Sequence, residues 1–108
     1  MYNPNIRRYM ELIFEDKDYD RLEVDAGFSN GFAVPVVALY RSRLQLLRAV
    51  HAERDLTAMR CLGIKPLPAR SRRQHSIRLD SRYHLIVELQ KPADGDVLRI
   101  VIVRIDET

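Results

Sequence analysis

At 108 residues the chain has the length of one domain, enough to bury a core without disulfides or a structural metal. A single cysteine excludes a disulfide framework within the chain and suits a reducing compartment, so a cytoplasmic protein is expected. No apolar run approaches the roughly 20 residues that cross a bilayer, and M-Y-N-P-N-I-R-R-Y-M has no apolar leader core; no membrane partner is expected.

The charge is unevenly spread. The chain carries +3 overall, but between Arg60 and His84 stand Arg60, Lys65, Arg70, Arg72, Arg73, Arg78 and Arg82 against one acid, Asp80. The remainder is therefore net acidic, and the cationic surface is local. Such a surface attracts polyanions, and Arg and Lys contacts to phosphate supply most sequence-independent affinity for nucleic acid. Arginine dominates the cluster, and its planar fork can hold a phosphate through two bonds at once.

In chain order, residues 1–9 are polar, with Pro4 and two arginines, and read as an N-terminal extension; residues 10–108 read as one domain. Glu11–Glu15 predicts a short strand. Asp16–Val24 predicts a short helix opened by a carboxylate cap, with Leu22 inward. Gly27, Ser29, Asn30 and Gly31 break the chain. Pro35 then sits where the first turn of a helix tolerates proline, and Val36, Val37, Tyr40, Leu44, Leu47 and Val50 recur at three- and four-residue spacing. This predicts an amphipathic helix over Pro35–Glu53 whose stripe His51 continues. Asp55 and Thr57 predict one more short turn before Gly63. Cys61, in M-R-C-L-G-I, reads as a small buried hydrophobe.

Beyond Gly63 the basic segment from Lys65 reads as a loop, and then the period changes. Ser76–Asp80 and Tyr83–Leu89 alternate apolar and polar residues as strands do, and Asp94-Gly95 marks a turn. Val97–Ile105 is β-branched and predicts a central strand covered on both faces. Strand, helices and three consecutive strands together predict an α+β domain: helices packed on one face of a small, mainly antiparallel sheet.

Phosphate-loop, dinucleotide, paired C-x-x-C and H-E-x-x-H motifs are absent, and the three histidines are scattered; neither a cofactor nor a metal site is expected. Cutting RNA needs a base for the 2′-hydroxyl, cations for the phosphorane charge and an acid for the leaving 5′-oxygen. The basic segment supplies the cations. His75 and His84 stand on the two strands that follow it. With a turn at Asp80-Ser81-Arg82, His75 falls near the open end of the hairpin and His84 near the turn, so the two are not expected to touch.

R-R-Q-H-S-I-R-L-D-S-R-Y-H-L-I-V-E-L resembles the central hairpin of RelE/ParE-superfamily toxins in the HigB-like branch, which reads G-x-[HY]-S-[IV]-R-[VL]-N-x-x-[WY]-R-[VIL]. Arg43–Val50 followed by Arg54-Asp55-Leu56 resembles the family's long helix and the D-L after it. Lys65-Pro66-Leu67 resembles its R-L-x-P-L, and Met10–Phe14 its first strand. The resemblance runs from about Met10 to Asp106. It implies a RelE-like fold and a type II toxin that cuts mRNA on the ribosome and inhibits translation. A cognate antitoxin, expected to be a helix-turn-helix repressor, would hold it inactive. Carried over by position, the catalytic candidates are Lys65, His75, Arg78, His84 and Asp106, and the RNA-binding candidates are Arg70, Arg72, Arg73 and Arg82. Arg73 falls on a usual glycine and His84 on a usual arginine, while the family's terminal D-Y-H stands here as Asp106-Glu107-Thr108. That change leaves a second expectation open: a non-catalytic toxin of the same fold, gyrase-directed, or an inert relative that binds its antitoxin.

Overall fold

A computed structural model of the chain describes residues 10–68, 73–91 and 97–108. The N-terminal extension and the Asp94-Gly95 turn lie outside the described residues. Strand β1 (Met10–Phe14) leads into helix α1 (Lys17–Val24), then α2 (Val34–Arg48) and α3 (Glu53–Ala58). A single 3₁₀ turn, Arg60–Leu62, precedes β2 (Lys65–Pro66), β3 (Gln74–Arg78), β4 (Tyr83–Gln90) and β5 (Leu98–Glu107). The five strands form one sheet in the order β1-β5-β4-β3-β2. β1 runs parallel to β5 and the other three pairings are antiparallel. The chain is thus α+β with a mixed sheet, and β4 rather than β5 holds the centre.

Helix α1 begins as its sequence indicates. Asp16 is the N-cap, and its Oδ1 accepts from the Asp18 amide at 2.9 Å. Tyr19 and Leu22 face inward. Helix α2 buries Val36, Val37, Tyr40, Leu44 and Leu47 on one stripe, but it ends at Arg48, five residues before the predicted end. The cause is a competing acceptor. Asp55 Oδ2 takes the amides of His51 at 2.9 Å and Ala52 at 3.1 Å, which fixes those residues as the entry to α3 rather than a further turn of α2. Val50 is still buried, from outside the helix, whereas His51 is exposed and is not on the stripe. Asp55 lies in the first turn of α3 rather than opening it. Cys61 is exposed in the 3₁₀ turn, where its neighbour Leu62 takes the inward position instead.

The two helices of the N-terminal half are tied by polar contacts at their ends. Arg41 donates from Nε to the Leu22 carbonyl and from Nη2 to the Asp25 carbonyl, both at 2.9 Å, so it satisfies the C-terminus of α1. Arg48 grips Glu23 through two bonds of 2.6 and 2.9 Å. Inside, the Tyr40 hydroxyl donates to the Tyr19 carbonyl at 2.7 Å, and the Tyr19 hydroxyl accepts the Ile105 amide at 3.0 Å. β1 has ended by then, since Phe14 pairs with Ile102. Tyr19 therefore supplies the acceptor that a longer β1 would have given to β5.

One irregularity sets which residues of β5 face the helices. Val87 pairs with Ile102 and Ile86 with Arg104, so Val103 is an extra residue opposite none of β4. This bulge reverses the alternation. Leu98, Ile100 and Ile102 point to the core before it, and Ile105 does so after it, joining Ile77, Leu85, Val87 and Leu89 under the helices. On the other face Ile86 and Val101 are also buried, so the middle of the sheet is covered on both sides.

Candidate nucleic-acid interface

The sheet face away from the helices gathers three of the sequence candidates into a transverse row. Arg78 on β3 pairs with His84 on β4, and His84 pairs with Asp106 on β5. Directly paired residues project from the same side of a sheet with Cβ atoms about 4.5–5.5 Å apart. Arg78 is exposed, while His84 and Asp106 are half-buried. His84 Nδ1 is buried and has no hydrogen-bond partner. Asp106 Oδ1 accepts from Arg104 Nε at 2.8 Å, a same-face neighbour two residues away. Arg104 is a residue that sequence reasoning missed. Its signal was the i, i+2 spacing to Asp106, hidden by the bulge that precedes it.

Beside the row lies a cavity of about 270 Å³, lined by Leu67, Ser76, His84, Ile86, Asp106, Glu107 and Thr108. Lys65 borders it from the neighbouring strand, because it pairs with Ser76 and shares that face. The sequence placed Lys65 in a loop; it belongs instead to the short edge strand β2, whose proline fits an edge position. The near end of the row is held by the β3–β4 hairpin. Asp80 Oδ1 accepts the Arg82 and Tyr83 amides, each at 2.8 Å, and these bonds hold its carboxyl below the ordinary aspartate range. Arg43 of α2 donates from Nε to the Arg78 carbonyl at 3.0 Å. Gly63 lets the 3₁₀ turn close on the same residue. Its φ is +52°, and a Cβ there would sit 3.3 Å from the Arg78 Cβ.

The remaining candidates stand elsewhere. His75 pairs with Val87, a core-facing residue, so it lies on the helix-covered face and outside the row of Arg78, His84 and Asp106. It lines a separate cavity of about 300 Å³ with Glu53, Arg54, Leu56, Thr57, Ile64, Pro66 and Leu89. Two-residue alternation along β3 separates it from Arg78, three positions on. Arg73 donates to Glu53 Oε1 at 2.6 Å, and Arg82 to Glu107 Oε2 at 2.6 Å. Both pairs are exposed, of a kind worth about 0–1 kcal/mol, so phosphate can compete for either arginine. Arg70 and Arg72 lie outside the described residues. Among the described residues no cluster of three metal-ligating side chains occurs, and no helix is long and apolar enough to cross a membrane.

Comparison of the chain with protein-family models, curated proteins and solved structures finds no match. An imidazole, a carboxylate beside it and an arginine on its other side share one sheet face with Lys65 of β2.

Proposed function

We propose that the protein is an endoribonuclease of the RelE/ParE kind, the toxin of a toxin–antitoxin pair, cutting translated mRNA on the ribosome. The observation that carries this reading is the Arg78–His84–Asp106 row, on the sheet face that also carries Lys65 of β2. In this reaction the 2′-oxygen attacks the adjacent phosphorus and the 5′-oxygen leaves, so a cyclic phosphate and a free 5′-hydroxyl result. His84 moves the proton, Asp106 faces the imidazolium that forms, and Arg78 with Lys65 offsets the charge on the phosphorane. His75 is not in this set. The antitoxin, a helix-turn-helix repressor on the strength of the family resemblance, keeps the enzyme silent.

A second reading draws on the last two residues. Glu107 is bonded to Arg82, and the Thr108 amide and hydroxyl donate to the Arg82 carbonyl at 2.7 and 3.0 Å. Where the family has tyrosine and histidine, this chain has ties to the hairpin, as a non-catalytic toxin directed at gyrase or an inert antitoxin-binding relative would have. Expression without the antitoxin separates the two. The ribonuclease reading expects growth arrest and new 5′ ends within a reporter reading frame by primer extension. Loss of one acid–base group is worth roughly 10²–10⁴ in rate, so His84→Ala should abolish the new ends while His75→Ala leaves cleavage near the native rate. Arrest without new ends, or equal loss from both variants, refutes the assignment.

A further inference from the structure

The cavity behind the sheet has no role in the chemistry above, yet it is built like a binding site. It lies between α3 and the β2–β3 edge, with Leu56, Ile64, Pro66 and Leu89 as apolar walls. Its volume of about 300 Å³ stands at the lower end of small-molecule sites, which run roughly 300–1,000 Å³. Apolar walls of this size suit one flat heterocycle and exclude a whole folded side of a macromolecule. Three polar groups converge on them: Glu53, Thr57 and His75. His75 lines the cavity, and its Nδ1 is buried without a hydrogen-bond partner. Glu53 is held ionised by the bond from Arg73, which lowers its pKa. A carboxylate has about four lone-pair sites, so Glu53 can keep Arg73 and still accept from a ligand.

We propose that this cavity binds a single amino-bearing nucleobase, adenine or cytosine. The match is chemical. Both bases carry an amino group that donates, beside a ring nitrogen that accepts; Glu53 can only accept, and the His75 imidazole can donate. Uracil presents a carbonyl where the amino group stands and would set it against the carboxylate. Arg54 on the lining supplies a cation near any attached phosphate. Unstacked bases held by apolar walls and read on their edges are the usual mode of single-stranded RNA recognition. The choice of a nucleobase rests on the ribonuclease reading, but the test does not need cleavage.

The full-length protein with labelled Leu methyls and 15N-labelled histidine is titrated by NMR with adenosine, cytidine and uridine, and then with short RNAs carrying one of these bases in a neutral run. Adenosine and cytidine should move the Leu56 and Leu89 methyls and the His75 ring nitrogens. Uridine should leave them in place, and the RNAs should produce the same shifts at concentrations at least tenfold lower. His75→Ala should weaken nucleoside binding at least tenfold. The unmutated protein's methyl shifts decide the matter if that variant unfolds. Shifts confined to the His84 ring nitrogens on the far face, equal shifts with uridine, or no shift at all overturn the proposal. RNA that is cut with these methyls unmoved sinks the base pocket alone. Nucleosides that dock here without any cleavage leave the pocket standing and count against the ribonuclease.

Discussion

Tyr19→Phe removes one oxygen and should cost more than the ordinary net value of a hydrogen bond. The hydroxyl accepts the Ile105 amide at 3.0 Å, at a point of β5 where β1 no longer supplies a partner. Ile105 is buried, so the orphaned amide would keep its desolvation penalty, about 1–3 kcal/mol. Burial also raises the pKa of both Tyr19 and Tyr40, so each remains a neutral phenol at physiological pH. Tyr40→Phe is the natural control. It removes a donor from the Tyr19 carbonyl, a group that can accept a second bond, and leaves the edge-to-face ring contact at 6.0 Å in place. Its cost should be the ordinary net value of one hydrogen bond, about 0.5–1.5 kcal/mol. With a urea slope near 1–2 kcal/mol/M, a loss of about 2 kcal/mol moves the midpoint by roughly 1–2 M. Amide exchange locates the effect: Ile105 should exchange faster in Tyr19→Phe and keep its protection in Tyr40→Phe. Because Asp106 follows Ile105, loosening this edge should also reduce any activity that depends on Asp106. If Tyr19→Phe loses less than about 0.5 kcal/mol, or the Ile105 amide is unaffected, Tyr19 is not the acceptor that closes β5.

Leu44→Ala or Leu47→Ala, each fully buried on α2, should lose about 2–5 kcal/mol in denaturant unfolding, and a loss near zero would mean the stripe faces solvent. Acid should destabilise the fold through Asp55, Asp25 and Asp80, whose pKa values are lowered by accepted backbone amides, and through Glu53, lowered by Arg73. With folded values below those of the unfolded chain, the unfolded state binds more protons in that window. Stability is therefore full above the ordinary carboxylate range, near 4, and falls as pH drops through the folded values. Urea midpoints at pH about 6, 4 and 3 should fall in that order, with a shallower fall in Asp55→Asn; an unchanged pH slope would sink the role given to Asp55.

Periodic burial was what the sequence displayed most clearly. The α2 stripe, the Asp16 cap and the β3–β4 hairpin all announce themselves in spacing or in a turn residue, because each is specified by near neighbours. The misplaced features depend on distant or one-off contacts. The end of α2 is decided by a carboxylate seven residues on, and β2 is two residues long with no alternation to detect. The parallel pairing of β1 with β5 joins Met10 to Leu98, and no local pattern records it. For the site, strand alternation already separates His75 from Arg78, so the division of the two histidines between faces was available from the hairpin alone. The place of Asp106 was less accessible, since the bulge at Val103 inverts the parity of every later residue of β5.

The position of β5 between β1 and β4 has a consequence for the timing of synthesis. Strands β2, β3 and β4 can pair as soon as they emerge, but β1 must wait for β5, which follows all of them in the chain. Until then the first strand and the central strand each present a bare edge, and the Arg78–His84 pair lacks its carboxylate. Long-range pairings of this kind form slowly and leave the nascent chain open to mispairing. The Arg78–His84–Asp106 row is therefore incomplete until β5 has been made. A chaperone that engages β1 early would have the interval before β5 emerges in which to act.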